Sequence, residues 1–464
     1  MLLPMTAPLD VLTENPTAAT DLAIVGGGAA GLACAIFAAA PAPAPGSGPD
    51  QRPPRITILD AASRLGAKIL VSGGGRCNVT HHRATPDDFV APRSVVRHLL
   101  KAFSTQDAIA WFAAMGVTLK HEPTGKLFPT TDSARTILDA LLQRCADLNI
   151  HILTNARVSA VTLTPDPAPS LDPRLRVSNS PSPPFRLTHA RGTLTARALV
   201  LATGGRSLPR TGSDGSGYAL AQALGHTVTP THPALVPLVL ADDFFHAALA
   251  GVSLDVTLAT FAGNPPKRID QRTGALLFTH FGISGPVVMD ASRHWTTAQA
   301  RAERPSLRCN FLTSAVDFAA AERWLIDAAT ATPRRPIASV LRDRLPARLV
   351  EVVCGALTPP VIPSTYMGRL QRDDRRRLVH ALTDAELPVV KDRGWNHAEV
   401  TAGGVPLEEI NPKTMQSRKC AAAPLFLIGE LLDCDARIGG FNFQWAWSTA
   451  HAAGCTVARV LVDR

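Results

Sequence analysis

Three glycines spaced as Gly26-x-Gly28-x-x-Gly31 can hold a pyrophosphate. They follow the apolar run Asp21-Leu-Ala-Ile-Val25 and precede an alanine-rich stretch, Leu32 to Ala40. Strand, turn and helix therefore stand in the order this motif requires. Gly26 permits the sharp turn, Gly28 lets the backbone come close to phosphate, and Gly31 lets helix and strand pack together. The helix start offers unpaired N–H groups and the positive end of its dipole. Asp60 closes the next strand, Arg55-Ile-Thr-Ile-Leu-Asp60, where a carboxylate can accept hydrogen bonds from an adenosine ribose. It lies 29 positions after Gly31, against about 20 in the usual unit, and a proline-rich loop over residues 41–54 accounts for the excess.

A separate nicotinamide domain would need a second such fingerprint. Gly212-x-x-Gly215-x-Gly217 has a different spacing and follows Pro209 and Arg210, so it does not serve. A single dinucleotide site favours FAD if later segments converge on it. Proton-transfer candidates are few. Histidine suits proton transfer near neutrality, and His280 stands in Phe278-Thr-His-Phe-Gly-Ile-Ser-Gly-Pro286 with Ser284. A histidine hydrogen-bonded for structure would fit that segment equally well. Lys126 in Gly125-Lys-Leu-Phe-Pro129 is the other candidate.

Among the eight cysteines no pair is spaced CxxC, so neither a zinc site nor a dithiol redox pair is expected, and no metal is assigned. They read as reduced thiols of a cytoplasmic protein. Cys77 reads as a small packed residue in preference to a redox nucleophile, because no second cysteine is near it. The chain carries 47 Lys and Arg against 38 Asp and Glu, a net charge of +9, which raises the question of nucleic acid. The arginines are scattered, and the densest run, Arg369 to Arg377, contains two aspartates. It reads as a solvated helix face, so a small-molecule substrate is expected and a nucleic-acid partner is not. No apolar run reaches the ~20 residues that cross a bilayer. The first twenty residues lack a basic n-region, which argues against a signal peptide and for a loose tail.

The 464 residues, 46% of them hydrophobic and only 18% charged, supply cores for several domains. Helical periodicity runs over Ser94 to Met115 and Ser133 to Leu148. Strand-like pieces occupy about 151–163 and 185–203, with a Pro/Ser-rich loop at 164–184 between them, and Ala198 to Gly205 reads as a buried strand entering a turn. Short β-like runs (Leu235 to Leu240, Val252 to Phe261, Gly274 to Phe278) then mark a β region. Residues 316–390 are rich in alanine, leucine and arginine and read as helical. Strand character returns at Ala398 to Thr401 and at Pro424 to Glu430, before a final helix from about Gly440.

Motifs spread through the chain resemble the BaiN/RdsA-type FAD-dependent oxidoreductases, also called aminoacetone-oxidase-like flavoproteins. They are Ala67-Lys-Ile-Leu-Val-Ser-Gly-Gly-Gly-Arg-Cys-Asn-Val-Thr80, Gly125 to Pro129, Ala202-Thr-Gly-Gly205, Thr211-Gly-Ser-Asp-Gly215 and Phe278 to Pro286. Glu399-Val-Thr-Ala-Gly-Gly-Val405, Asn411-Pro-Lys-Thr-Met415, Gly429-Glu-Leu-Leu-Asp433 and Gly439-Gly-Phe-Asn-Phe-Gln444 complete the set. The resemblance implies an α/β fold: a Rossmann-like FAD-binding domain interrupted by a barrel-like β domain that itself carries a small helical domain. The division expected is a tail over 1–20, the FAD domain over 21–205 and 411–464, the β domain over 206–315 and 391–410, and the helical domain over 316–390.

The resemblance also implies roles. Besides Gly26, Gly28, Gly31 and Asp60, it puts Ala29, Ala30, Lys68 and Val158 among the cofactor-binding positions. Gly74, Gly75, Cys77 and Asn78 would bring a glycine-rich backbone against the flavin and pyrophosphate, with Arg76 neutralising phosphate or an acidic substrate group. Thr203, Gly204 and Gly205 would cross near the cofactor. Glu430 would bind a ribityl hydroxyl with help from Asp433. Gly439 and Gly440 would open a helix, with Phe441 and Asn442 in its first turn, whose dipole faces the flavin pyrimidine edge. Departures from the family pattern are Asp60 in place of glutamate and Cys434-Asp-Ala-Arg437 in place of a glycine-rich turn.

The activity implied is hydride transfer through FAD to or from a small organic substrate, with NAD(P)H as a transient donor in C=C reduction. An amine or aminoketone oxidase using dioxygen, a tRNA-modifying flavoprotein and a non-catalytic flavin redox sensor are the alternatives. Aromatic hydroxylation fits less well, because the strand end reads Ala-Thr-Gly-Gly where that class carries Asp-Gly.

Overall fold

The computed structural model describes residues 19–39, 53–163, 184–313, 316–420 and 423–462. The expected tail up to residue 18, and most of the two proline-rich loops, fall outside the described residues. The chain forms two compact units, one of residues 1–231 and 403–464, the other of residues 232–402.

The first unit is built on β1 (Thr20–Val25), α1 (Ala29–Ala39) and β2 (Ile56–Leu59). Every residue of β1 and β2 is buried, as continuous apolar runs require in a parallel sheet covered on both faces. Thr20 thus belongs to β1 and not to a tail. β1 lies between β2 and the strand Gly192–Leu201, parallel to both. His151–Leu153 extends the sheet beyond β2, also in parallel. The long strand Gly192–Leu201 divides its pairing. Its first half meets Phe185–His189 antiparallel, and its end meets Leu425–Leu427 parallel. The closing segment of the chain therefore returns to the middle of the sheet. The last helix, Phe441–Val462, follows it, and Gly454 lets it approach α1 so closely that a Cβ there would press on the Cys34 carbonyl oxygen at 2.8 Å.

One helical expectation divides. The stretch Ser94 to Met115 is two helices, Arg93–Ala102 and Thr105–Ala114. Ser104 accepts from Asp107 N, and Asp107 in turn accepts from Ser104 N at 2.7 Å. That capping box starts a new helix where the periodicity alone suggested continuity.

The second unit carries a seven-stranded sheet in the order 385–387, 306–310, 253–262, 267–279, 282–284, 238–240, 389–392, antiparallel throughout. Leu325, Leu349 and Leu378 of its helices share one buried cluster with Leu258 and Phe278 of its strands. The helices of 316–390 therefore pack on the sheet around a common core. The first unit has its own core, and residues 206–231 and 403–410 group with it. Among the described residues no helix is long and apolar enough to cross a membrane.

Candidate functional site

The glycine turn after β1 is sterically specified at two of its three positions. A Cβ at Gly26 would overlap the Ala202 carbonyl oxygen, and one at Gly31 would overlap the Gly26 carbonyl oxygen. At Gly28 nothing lies within 4 Å of where a Cβ would stand. Gly28 O accepts from Leu32 N at 3.0 Å, so the helix begins there, and Ala29 and Ala30 carry first-turn N–H groups that no helix bond uses. The result is a closed strand–helix joint with open space before its donors.

Asp60 stands directly after β2. Its Oδ2 accepts from Gly27 N at 2.7 Å and its Oδ1 from Ala62 N at 2.8 Å. The carboxylate therefore holds the glycine turn in place. A carboxylate has about four acceptor sites, so each oxygen keeps capacity for a ribose hydroxyl. Val158 opens the strand Val158–Leu163 two residues after Ala156, whose N–H donates to Asp60 O at 2.8 Å.

Lys68 and Glu430, 362 residues apart, form an ion pair. The buried Ser207 donates to Glu430 Oε1 at 2.7 Å and also accepts from Lys68. Asp433 accepts from Thr229 Oγ1 at 2.9 Å. Close by in sequence to Ser207, three buried hydroxyls have no hydrogen-bond partner among the described residues: Thr203 Oγ1, Ser213 Oγ and Tyr218 OH. A Cβ at Gly204 would stand 2.8 Å from Ser213 Oγ, and one at Gly217 would overlap Thr203 Oγ1, so these hydroxyls crowd the turn that leaves the strand Gly192–Leu201. Burial raises the Tyr218 phenol well above its ordinary range, and the charges of Glu430 and Asp433 add to that rise.

The segment from Ser72 to Asn78 behaves less uniformly. Gly74 has open space around its absent Cβ, while Gly75 has only the Leu70 carbonyl nearby, at 3.9 Å. Arg76 is engaged by protein: it pairs with Glu122 at 2.6 Å and Asp132 at 3.6 Å and lies over the Phe128 ring at 4.0 Å. Its charge is therefore already balanced. Cys77 is fully buried, and burial pushes its thiol up to about 12, which suits packing and not nucleophilic chemistry. Asn78, with its amide turned to satisfy both neighbours, donates to Thr80 O and accepts from Gly440 N at 2.9 Å.

Gly440 is required at that point, because a Cβ would stand 2.6 Å from Thr80 O. Gly439 is buried against the rings of Phe441 and His81. The side chains of Phe441 and Asn442 are turned to protein contacts. Phe441 stacks on His81 with ring centroids 4.6 Å apart. Asn442 clips the preceding turn by bonding both N and O of Ala436. Gly429 is anchored by Thr449 Oγ1 and Trp445 Nε1, and a Cβ there would press on Ala30 at 2.9 Å. Strand end, first helix and last helix therefore meet. Gly205 follows Gly204 in the same turn and is buried.

The two proton-transfer candidates lie on different units. Lys126 opens the strand Lys126–Pro129 opposite His81 in a small sheet of the first unit. His280 occupies the turn between the strands Lys267–Thr279 and Gly282–Ser284 of the second. Sequence reasoning missed Ser207, Ser213, Tyr218 and His81. Tyr218 had a signal, being one of only two tyrosines in the chain and standing three positions after the Thr211 to Gly215 motif.

Open space at Gly28, free first-turn N–H groups, a carboxylate at the end of β2 and unpartnered buried hydroxyls fit a ligand carrying phosphates and hydroxyls. Among the described residues no group of three metal-binding side chains is placed to hold a metal ion.

A family model described as the HI0933-like protein Rossmann domain matches residues 20–456. The chain is 30% identical over 438 residues to a ribosomal RNA dihydrouridine synthase of Haemophilus influenzae, covering 94% of this chain and 98% of the relative. It is 31% identical over 435 residues to a protein of the same name from Escherichia coli, covering 93% and 96%. It is also 31% identical over 441 residues to a 3-dehydro-bile acid delta(4,6)-reductase of Clostridium scindens, covering 94% and 98%.

Proposed function

The chain belongs to the HI0933-like family, and from that premise we propose that it is an FAD-dependent oxidoreductase reducing a carbon–carbon double bond conjugated to a carbonyl, with NAD(P)H as donor. The observation that carries the reading is the turn in which Gly26 and Gly31 are locked by backbone while Gly28 faces open space at a helix start. Two different relatives support the chemistry. Dihydrouridine is uridine with its ring double bond saturated, and a delta(4,6)-reductase saturates double bonds in a ring system. A carbonyl-activated C=C is what the two substrates share.

FAD, when bound, supplies the two-electron chemistry, while the protein supplies orientation and electrostatics. The N–H groups from Gly28 to Ala30 hold the pyrophosphate, and Asp60 holds the adenosine ribose while bracing the turn through Gly27. Lys68 and Ser207 fix the Glu430 carboxylate so that its remaining lone pairs accept a ribityl hydroxyl. The N-terminus of the helix Phe441–Val462 sets positive potential against the pyrimidine edge. His280 has no hydrogen-bond or carboxylate partner among the described residues, which leaves it available to carry a proton.

The test is a pair of anaerobic half-reactions on the purified protein. It should be yellow, release FAD on denaturation, and bleach with NADH or NADPH; an enone should then restore the colour. Bleaching by an amine but by neither nicotinamide would overturn the reductase reading in favour of an oxidase.

A further inference from the structure

Within the second unit a cavity of about 840 Å³ is lined by the helices Ala347–Ala356 and Arg372–Thr383 and by the turn that carries Phe244 and Phe245. Every residue lining it falls between 244 and 386, so the cavity is complete within that unit. Its walls are largely aromatic. The Phe244 and Phe245 rings stack with centroids 4.0 Å apart. Their turn is tied to the sheet, because Phe244 N donates to Ala241 O at 3.0 Å and Ala241 N to Pro388 O at 2.9 Å. Phe318 opens the helix Phe318–Ala331, whose start is fixed by Asp317 accepting from Ala320 N at 2.8 Å. Apolar walls, few polar groups and a volume inside the range of roughly 300–1,000 Å³ are the marks of a small-molecule site.

Five ionisable side chains line the cavity: Arg376, Arg377, His380, Asp384 and Glu386. Arg377 is held by protein, pairing with Asp374 and donating to Pro359 O at 2.8 Å. Asp384 accepts from Arg308 at 2.7 Å, and Glu386 stands opposite Arg308 across the strand pair. Arg376 and His380 differ. They lie one turn apart on one helix face, and both meet the Phe318 ring, the guanidinium at 5.7 Å and the imidazole edge-to-face at 5.5 Å. Glu322 is 4.0 Å from Arg376 Nε, and the same carboxylate faces Arg375 at 3.7 Å. Both separations exceed hydrogen-bond length, and one carboxylate against two guanidiniums leaves a positive charge over. Among the described residues neither the Arg376 guanidinium nor the His380 ring makes a hydrogen bond. Asp384 follows His380 by one further turn. The cavity is therefore polarised along the helix, cationic at Arg376 and acidic about 12 Å farther on.

We propose that this cavity binds a small amphipathic monocarboxylate, with its acid on Arg376 and His380 and its apolar body against Phe244, Phe245 and Phe318. The planar guanidinium fork receives both oxygens of a carboxylate, and a ring nitrogen of His380 adds one more polar contact. One surplus positive charge matches one carboxylate. A phosphate dianion would set a second negative charge on the wall that already carries Asp384 and Glu386, and an amine would be repelled by Arg376. The body is an alkyl chain or an aromatic ring system, since both bury apolar surface against phenyl rings, and the two are separable by experiment. No residue of the dinucleotide turn takes part, so the site is independent of the flavin chemistry proposed above. A ligand held there binds the folded protein alone and stabilises it by mass action.

The experiment is isothermal titration calorimetry on the full-length protein as purified, with three probes: octanoate, naphthalene-2-carboxylate and the uncharged octan-1-ol. At least one carboxylate should bind saturably at one site per chain and raise the unfolding temperature, and the tighter of the two identifies the body as aliphatic or aromatic. Octan-1-ol should bind about tenfold more weakly than octanoate, because it lacks the charge-assisted hydrogen bonds. Arg376→Gln should weaken carboxylate binding by about tenfold or more and leave octan-1-ol unchanged. Ala381→Phe adds bulk at a lining position and should remove binding of all three probes. Arg376 is exposed, so Arg376→Gln tests the charge whether or not Ala381→Phe folds. Absence of saturable binding by both carboxylates, equal affinity for octan-1-ol and octanoate, or wild-type carboxylate affinity in Arg376→Gln would each overturn the proposal. So would wild-type binding by a folded Ala381→Phe, which would place the probes elsewhere on the protein.

Discussion

Charge is handled differently at two sets of residues, one in each unit. In the first, charges are closed on one another: Lys68 with Glu430 and Ser207, Arg76 with Glu122 and Asp132, and His226 with Glu409 at 2.8 Å. In the second, Arg393 and His280 stand without an acceptor or carboxylate among the described residues. A cofactor that stays bound rewards a scaffold whose own polar groups are already held, because preorganised dipoles need no rearrangement. Side chains without such partners can meet a ligand without first giving up an internal ion pair.

The largest effect expected in the comparison concerns the one open position in the first unit's turn. Gly28→Val should reduce flavin retention to a trace while leaving the thermal unfolding of the second unit unchanged, since the side chain would fill phosphate space at a position where a Cβ meets no protein atom within 4 Å. Undiminished flavin occupancy on gel filtration would break the comparison at its root.

Paired and unpaired cations should differ next in stability. Lys68→Met leaves Glu430 and Ser207 with an uncompensated charge and should cost about 1–3 kcal/mol in chemical denaturation. Arg393→Met removes no ion pair and should cost less than about 1 kcal/mol, the scale of surface substitutions without partners. Equal losses would show that the two cations are not held differently.

The smallest effect is the pH dependence that the His226–Glu409 pair contributes in the first unit. Burial holds the His226 ring below its ordinary value, against the opposing pull of Glu409. Burial alone would raise Glu409, but hydrogen bonds from Thr227 and His226 hold it below the ordinary carboxylate value. Both depressed groups bind protons more readily when unfolded. Their contribution is therefore complete above pH ~6.5 and declines as pH falls, first through histidine and then through the carboxylate. Ser417 Oγ at 2.8 Å from His226 Nε2 and Lys419 at 3.6 Å from Glu409 complete the surroundings. The denaturation midpoint should drop between pH 7 and 4, and His226→Gln should flatten the upper part of that slope; an unchanged slope in the variant would assign it elsewhere.

The legibility of the molecule follows the range of the forces involved. The first strand, its glycine turn and the following helix were readable because the constraints act within a few residues. Gly31 must lack a side chain because the Gly26 carbonyl is there. The Ser104–Asp107 capping box was written just as locally but was hidden under helical periodicity running through it. Nothing local announced that Lys68 would find Glu430, or that the helices after residue 316 would share a core with the sheet before them. Charge partners were hidden in a related way: Arg76, singled out as a functional cation, pairs with Glu122 and Asp132, which no local pattern announced.

By itself, then, the sequence determined the dinucleotide turn, the alternation of strand and helix around it, the buried and unreactive character of Cys77, and membership in a family through ordered motifs. Those depend on sterics, propensity and apolar pattern, which neighbouring residues carry with them. Only the tertiary structure decided which charges cancel and which remain. Coulomb and stacking partners are chosen by the topology that brings distant segments together, and the same guanidinium is a structural tie or a waiting donor according to what the fold sets beside it.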